Sequence, residues 1–359
     1  MKGPFRYILV GLGEFGTRWA TAFLPEAESR GLVRAVAAVD VDPARFSVAV
    51  DGLGLRTEDC FTSVDEALAA RDCDFVIVVV PPAHHESVVR SAVGAGRHVL
   101  SEKPLADDLA SAVRISRLID AAGLKLAVTM SHRFQQDKLS LQDLLDGGGL
   151  GDLNYIVVRF TANWRKDGDW GAFRHRMADP LLVEGAVHQL DILRGLTRSD
   201  AKTVYAQSWN PPWGEYAGDT TAFVMIEMVD GTHCLYEGAK ANASTLNGWH
   251  DDYIRAECES ATAELDRRHL FVITSGKEGL LTRREMPLLK TRTSWGHQVL
   301  IEDFCRWLDG GPEPPTNHHD NLQACALVFA AVESTHTGQP VDVQRMLADA
   351  TLAVAGSDA

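Results

Sequence analysis

Through the first 130 residues, short apolar runs alternate with segments of helical periodicity. The runs at 7–10, 33–39, 75–80, 98–100 and 124–129 are nearly continuous and rich in Val, Ile and Leu, the pattern of strands covered on both faces. Between them, Ser63 and Glu66 predict a capping box, Gly94 and Gly96 a stop after the helix at 86–93, and Gly123 a stop after the helix at 110–122. Alternating βα units of this length imply right-handed crossovers and a parallel sheet. From about residue 150 the pattern changes to longer strands with alternating polar positions, at 154–164, 203–209, 220–228, 233–240, 253–259 and 270–274. Asp230-Gly231 between two of them is a hairpin signal. Helices are expected at 181–196, 298–308 and 321–337, and residues 131–151, loosest at Gly147-Gly148-Gly149, are expected to form a linker. The pattern predicts an α/β fold of two domains: residues 1–130 around a parallel sheet, and residues 131–359 around a mostly antiparallel open sheet.

Gly11-Leu12-Gly13-Glu14-Phe15-Gly16 follows the first strand and opens a helix. In this context the first glycine permits a tight turn, the second lets a pyrophosphate approach the backbone, and the third lets helix and strand pack closely. The helix start, with Glu14 and Phe15, offers amide hydrogens to phosphate. Asp40 ends the second strand near the spacing, ~20 residues on, at which an acid meets the adenine ribose hydroxyls. The first domain is thus expected to be a Rossmann dinucleotide-binding domain. Asp40 and Asp42 would repel a 2′-phosphate, with Arg45 the nearest cation, so NAD is expected over NADP.

Two further groups carry chemistry. Glu102-Lys103-Pro104 follows the fifth strand, and Pro81-Pro82-Ala83-His84-His85 the fourth, both at the carboxyl edge where open α/β sheets bind ligands. On a helix, Glu184, His188 and Asp191 stand at i, i+4 and i+7 on one face, bringing an imidazole between two carboxylates. Imidazole titrates near neutral pH and can take a hydroxyl proton as hydride leaves carbon. Asp191 also stands at i−3 from Arg194, so a helix ion pair is an equal reading. Trp164, Arg165, Trp170, Arg174 and Arg176 lie in a loop-rich stretch before this helix, either as surface packing or as groups that stack on sugar faces and donate to hydroxyls.

Taken in order, these motifs resemble the glucose-fructose oxidoreductase and inositol dehydrogenase family (Gfo/Idh/MocA). Its members carry a glycine loop, a T-P-N-x-x-H-type motif, A-G-x-H-V and E-K-P, which stand here as residues 11–16, 80–85, 95–99 and 102–104. Arg133-Phe134 matches the family's R-F element, residues 184–191 its substrate-helix motif, and the two late helices its C-terminal pair, so nearly the whole chain is covered. The resemblance implies a C-terminal α/β domain, and NAD-dependent oxidation, or the reverse reduction, of a secondary alcohol on a sugar, inositol or related polyol. It implies Lys103 as the catalytic lysine touching cofactor and substrate hydroxyl, with Pro81, His85 and Glu102 beside the cofactor. His188 maps onto the catalytic histidine, and Glu184, Asp191 and Arg133 onto groups that position the ring. Glu184 departs from the family's common Asp by one methylene. Some similar proteins cleave glycosidic bonds through a transient oxidation, and others sense a dinucleotide without chemistry; retention of both Lys103 and His188 argues against the sensor. In similar proteins subunits pack on the open sheet, so a homodimer or homotetramer is expected.

Composition narrows the rest. The 359 residues carry a formal charge of -14, which repels a nucleic-acid backbone. No apolar run approaches the ~20 residues that span a bilayer. The N-terminus has no signal-peptide pattern, and six scattered cysteines form no framework, so a cytoplasmic chain is expected. His318 and His319 beside Asp320 have ligand chemistry, but adjacent histidines are expected to point apart and no third ligand has suitable spacing. They are read as a helix start, and no metal is assigned.

Overall fold

The computed structural model describes residues 3–169 and 171–357; Trp170 lies outside them. The strands are β1 (Phe5–Val10), β2 (Val33–Val39), β3 (Cys60–Phe61), β4 (Phe75–Val78), β5 (His98–Ser101), β6 (Leu126–Val128), β7 (Leu153–Thr161), β8 (Ala201–Trp209), β9 (Thr221–Met228), β10 (His233–Ala239), β11 (Tyr253–Cys258), β12 (Thr262–Asp266), β13 (His269–Ser275), β14 (Leu281–Met286) and β15 (Val341–Asp342). The helices are α1 (Glu14–Arg18), α2 (Leu24–Ser29), α3 (Phe46–Leu53), α4 (Val64–Ala70), α5 (His85–Gly94), α6 (Leu109–Ala122), α7 (Gln136–Asp146), α8 (Val187–Thr197), α9 (His297–Leu308), α10 (His318–Thr337) and α11 (Val343–Ser357). A π turn at Trp19–Phe23 joins α1 to α2, and another at Leu181–Ala186 leads into α8.

The first compact unit holds the described residues of Met1–Met130 and Ala350–Ala359 together with Ser294–Leu322. Its six strands form a parallel sheet in the order β3-β2-β1-β4-β5-β6. The order reverses at β1, which opens a ligand crevice at the carboxyl ends of β1 and β4. Tyr7, Leu9, Trp19 and Phe75 are buried in its core, and Ile301, Phe304 and Cys305 of α9 join them. The Phe304 ring stands 5.3 Å from that of Phe75. The block 131–359 expected as one domain is therefore divided, because the apolar stripe of α9 is buried on the first sheet. Gly123 closes α6 with φ +62°, and Asp108 caps its start by accepting from the Ser111 amide at 2.7 Å. The capping box at Ser63 does not form. Helix α4 starts there, but the Ser63 side chain makes no cap bond, and the backbone Ala67 N–H closes the turn on the Ser63 carbonyl at 3.2 Å.

The second unit holds Ser131–Thr293 and Gln323–Asp349 around nine strands in the order β14-β13-β12-β11-β7-β10-β9-β8-β15. Neighbours are antiparallel except β7 with β10, which run parallel. Alternation along β9 buries Val224 and Ile226 and exposes Phe223 and Met225. The stretch 131–151 is not a linker. It holds a 3-10 turn, Ser131–Phe134, and α7, with Asp137 and Lys138 buried. Lys138 Nζ lies 2.9 Å from both Asp137 and Asp252, which supply the charge a buried ammonium requires. Burial pushes the Lys138 ammonium down, but Asp252 and Asp137 outweigh it and hold it above the ordinary lysine range. Among the described residues no helix is long and apolar enough to cross a membrane.

Candidate active site

At the end of β1 the chain turns through Gly11 at φ +100°, where a Cβ would fall 2.1 Å from the Val79 carbonyl oxygen. A Cβ on Gly16 would fall 2.1 Å from the Gly11 oxygen, so only glycine lets α1 approach the turn. A Cβ on Gly13 meets nothing within 4 Å, leaving the loop open on the side where a pyrophosphate would lie. Glu14 and Phe15 are exposed at the start of the helical run. The Asp40 carboxylate accepts from the Leu12 amide at 2.7 Å through Oδ2 and from the Asp42 amide at 2.9 Å through Oδ1. Asp40 thus braces the glycine loop, and each oxygen retains lone-pair capacity toward a ribose hydroxyl. These residues fit a dinucleotide.

The loop after β5 begins with a buried acid. Glu102 is 6% exposed and accepts from Trp19 Nε1 at 2.8 Å and from the Lys103 amide at 3.1 Å. His297 Nε2 stands 3.5 Å away. Burial pushes the Glu102 carboxyl up, yet His297, Trp19 and the charge of Lys103 prevail and hold it below the usual carboxylate range. Glu102 anchors the backbone that presents Lys103, which is half-buried ahead of a cis Pro104. His85 is fully buried, with Nε2 2.9 Å from the Val80 carbonyl and Nδ1 3.2 Å from that of Leu105. The His85 ring thus ties the segment after β4 to the segment after Lys103. Pro81, by contrast, is exposed.

In the second unit, His188 on α8 is 5% exposed. Its ring stacks on that of His132 at 3.7 Å with 5° between the planes. Trp249 meets both rings edge-on, and the His250 ring stands 4.4 Å from His132. Glu184 lies in the π turn, not on a regular helix, and is 3% exposed. Arg174 holds it through Nε at 3.1 Å and Nη2 at 2.9 Å. Asp191, 1% exposed, lies between Arg133 Nε at 3.3 Å and Arg194 Nη1 at 3.4 Å. The helix ion pair with Arg194 is therefore realised, and Asp191 orients two guanidinium groups. Trp164 is half-buried, and its ring and those of Phe160 and Trp249 surround the fully buried Lys240, whose Nζ lies 2.7, 4.7 and 5.3 Å from Phe160, Trp164 and Trp249.

The sequence reading named Glu184, Arg174, His188, Asp191 and Arg133 as site candidates and did not name His132, Lys240 or Trp249, whose rings and ammonium the structure packs nearby. His132 directly precedes the R-F element and could have been read from that position. Lys240 and Trp249 carried no periodic signal.

The parallel sheet, glycine loop and carboxyl-edge lysine define a dinucleotide-binding oxidoreductase unit. Residues 5–130 match the GFO_IDH_MocA oxidoreductase family's NAD-binding Rossmann fold, and residues 142–343 match its C-terminal alpha/beta domain. The chain belongs to this family. It is 42% identical over 351 residues to an uncharacterized protein, y4oX, of Sinorhizobium fredii, covering 96% of this chain and 97% of that one. It is 21% identical over 342 residues to inositol 2-dehydrogenase of Rhizobium meliloti, covering 94% and 99%. Two solved structures share the fold. An oxidoreductase from Agrobacterium radiobacter in complex with NAD+, L-tartaric acid and magnesium has a TM-score of 0.81 at 22% identity, over 95% of this chain and 99% of that one. An oxidoreductase from Desulfitobacterium hafniense described as NADPH-dependent has a TM-score of 0.82 at 20% identity, over 97% and 100%.

Proposed function

We propose that the chain oxidises a secondary alcohol on a sugar, inositol or related polyol, or reduces the matching ketone, with NAD as the preferred cofactor. The observation that carries this reading is His188, a buried imidazole stacked on His132 in the unit that also holds the Arg174–Glu184 and Arg133–Asp191 pairs, groups able to donate to and accept from hydroxyls. Arg174 with Glu184 and Arg133 with Asp191 suit a neutral, hydroxyl-rich ligand, since each guanidinium already has its counter-charge. When bound, the nicotinamide supplies the hydride acceptor. His188 takes the hydroxyl proton, and Lys103 stabilises the oxyanion that forms. His132 supports the His188 ring by stacking. The resemblance to an inositol 2-dehydrogenase agrees with this substrate class.

Asp40 and Asp42 support NAD over NADP, because a 2′-phosphate would meet their carboxylates. Six free cysteines support a reducing compartment such as the cytoplasm. The exposed Phe223, Met225 and Leu235 on β9 and β10 form an apolar face that a second copy would cover, which supports a homo-oligomer. The test mixes purified protein with NAD and a panel of inositols, aldoses and sugar acids, following NADH absorbance and sugar release together. Stoichiometric NADH with at least one polyol is expected. Sugar release from a glycoside without net NADH would instead assign a hydrolase acting through transient oxidation.

A further inference from the structure

Outside the groups above, one cluster in the first unit has the chemistry of metal ligands. The side chain of Asp120 projects from the last turn of α6, and His318 and His319 open α10. Their nearest ligand atoms, one from each residue, all lie within 4.8 Å of one another. His319 Nε2 is 3.2 Å from Asp120 Oδ1, and His318 Nε2 is 3.6 Å from the same oxygen. The two histidine rings do not point apart, as their adjacency in sequence suggested; their centroids stand 4.0 Å apart at 42°. The third ligand comes from another helix, nearly two hundred residues away, where sequence spacing gives no sign of it.

Three observations distinguish this cluster from a surface ion pair. His318 is 3% exposed, so its ring direction is fixed by packing. Its Nδ1 is 2.8 Å from the Ser116 hydroxyl, one turn back from Asp120 on the same face of α6. That contact orients the ring and turns Nε2 toward the carboxylate, the arrangement of an outer partner behind a metal-bound histidine. Finally, the distance from His318 to Asp120 exceeds a hydrogen bond, and the two separations, 3.2 and 3.6 Å, bracket another geometry. With bonds of about 2.0–2.1 Å, the donors of a tetrahedral zinc site stand roughly 3.3–3.4 Å apart. Asp120 and His319 are about half exposed, so a hydrated ion can enter and keep a water as its fourth ligand.

We propose that Asp120, His318 and His319 form a three-ligand site for a zinc-type divalent cation, with Ser116 orienting His318. Two imidazoles and one carboxylate suit zinc over magnesium or calcium, which favour all-oxygen shells. A bound ion would join the end of α6 to the start of α10 and stabilise the first unit.

The test is a calorimetric titration of zinc chloride into the full, tag-free, chelator-treated chain, paired with thermal melts. One zinc per chain is expected, at micromolar affinity or tighter, with a rise in Tm. His319→Ala and Asp120→Asn should each weaken binding by more than about tenfold while leaving the zinc-free Tm near that of the wild type, since both side chains are half exposed. Ser116→Ala should weaken it roughly 10–100-fold, the usual effect of losing an outer partner. Absence of saturable binding would overturn the proposal. So would binding unchanged in both His319→Ala and Asp120→Asn, which would move the zinc to other imidazoles such as those around His188.

Discussion

Asp40 serves two purposes. Its oxygens hold the Leu12 and Asp42 amides, and under the proposed NAD preference its charge would repel a 2′-phosphate. Asp40→Asn removes the charge and keeps one acceptor, but sets an NH2 donor against either the Leu12 or the Asp42 amide, so titrations should find NAD binding weakened and the gap between NAD and NADP narrowed. Tighter binding of NADP than NAD by the wild type would refute the charge argument. At His188 the neighbour matters as much as the residue. The His132 ring lies flat on that of His188 at 3.7 Å and fixes its plane. His132→Phe keeps a stacked ring whereas His132→Ala removes it, so kcat should fall at least about tenfold more in the alanine variant; equal rates in the two would show that the stack does not position His188.

The end of β5 is an element whose stability depends on one carboxylate. Because Glu102 is held below its unfolded value, its contribution is fully present above the ordinary carboxylate range and is lost as pH falls through the folded value. Glu102→Gln should cost about 1–3 kcal/mol at pH 7, and melts of wild type and variant should converge on acidification below the carboxylate range. A gap independent of pH would show that the charge is immaterial. The strands of both sheets were legible where buried residues run together or alternate, as in β1, β4 and β9. They were illegible where that signal is missing: β3 and β15 have two residues each, β12 carries Glu264 and Asp266, and β14 is exposed along almost its whole length. Helix α7 was concealed by the glycines that follow it and by the charged Asp137 and Lys138, whose burial rests on their pairing with each other and with Asp252, remote in sequence. The motifs located Lys103, His188 and Glu184. The ring stack at His132 and the cage around Lys240 depend on contacts across the fold, which no local pattern encodes. The motif marked the position of His85, but its full burial and its bonds to the Val80 and Leu105 carbonyls had no sign in the sequence.

For the whole molecule, the exposed apolar face of the second sheet predicts self-association. Light scattering should find a dimer or tetramer, and Phe223→Glu with Met225→Glu should shift it toward monomer; a wild-type monomer at micromolar concentration would contradict that reading. The central claim is the proposed one, that Lys103 and His188 both serve the oxidation of the alcohol. It is tested most directly by single-turnover NADH formation with an active polyol, in the wild type, Lys103→Met and His188→Asn. The account predicts NAD affinity within about tenfold of wild type for both variants. His188→Asn should slow the turnover by roughly 10²–10⁴-fold, and Lys103→Met should nearly abolish it. Wild-type NADH formation in either variant would contradict the claim and remove that residue from the chemistry.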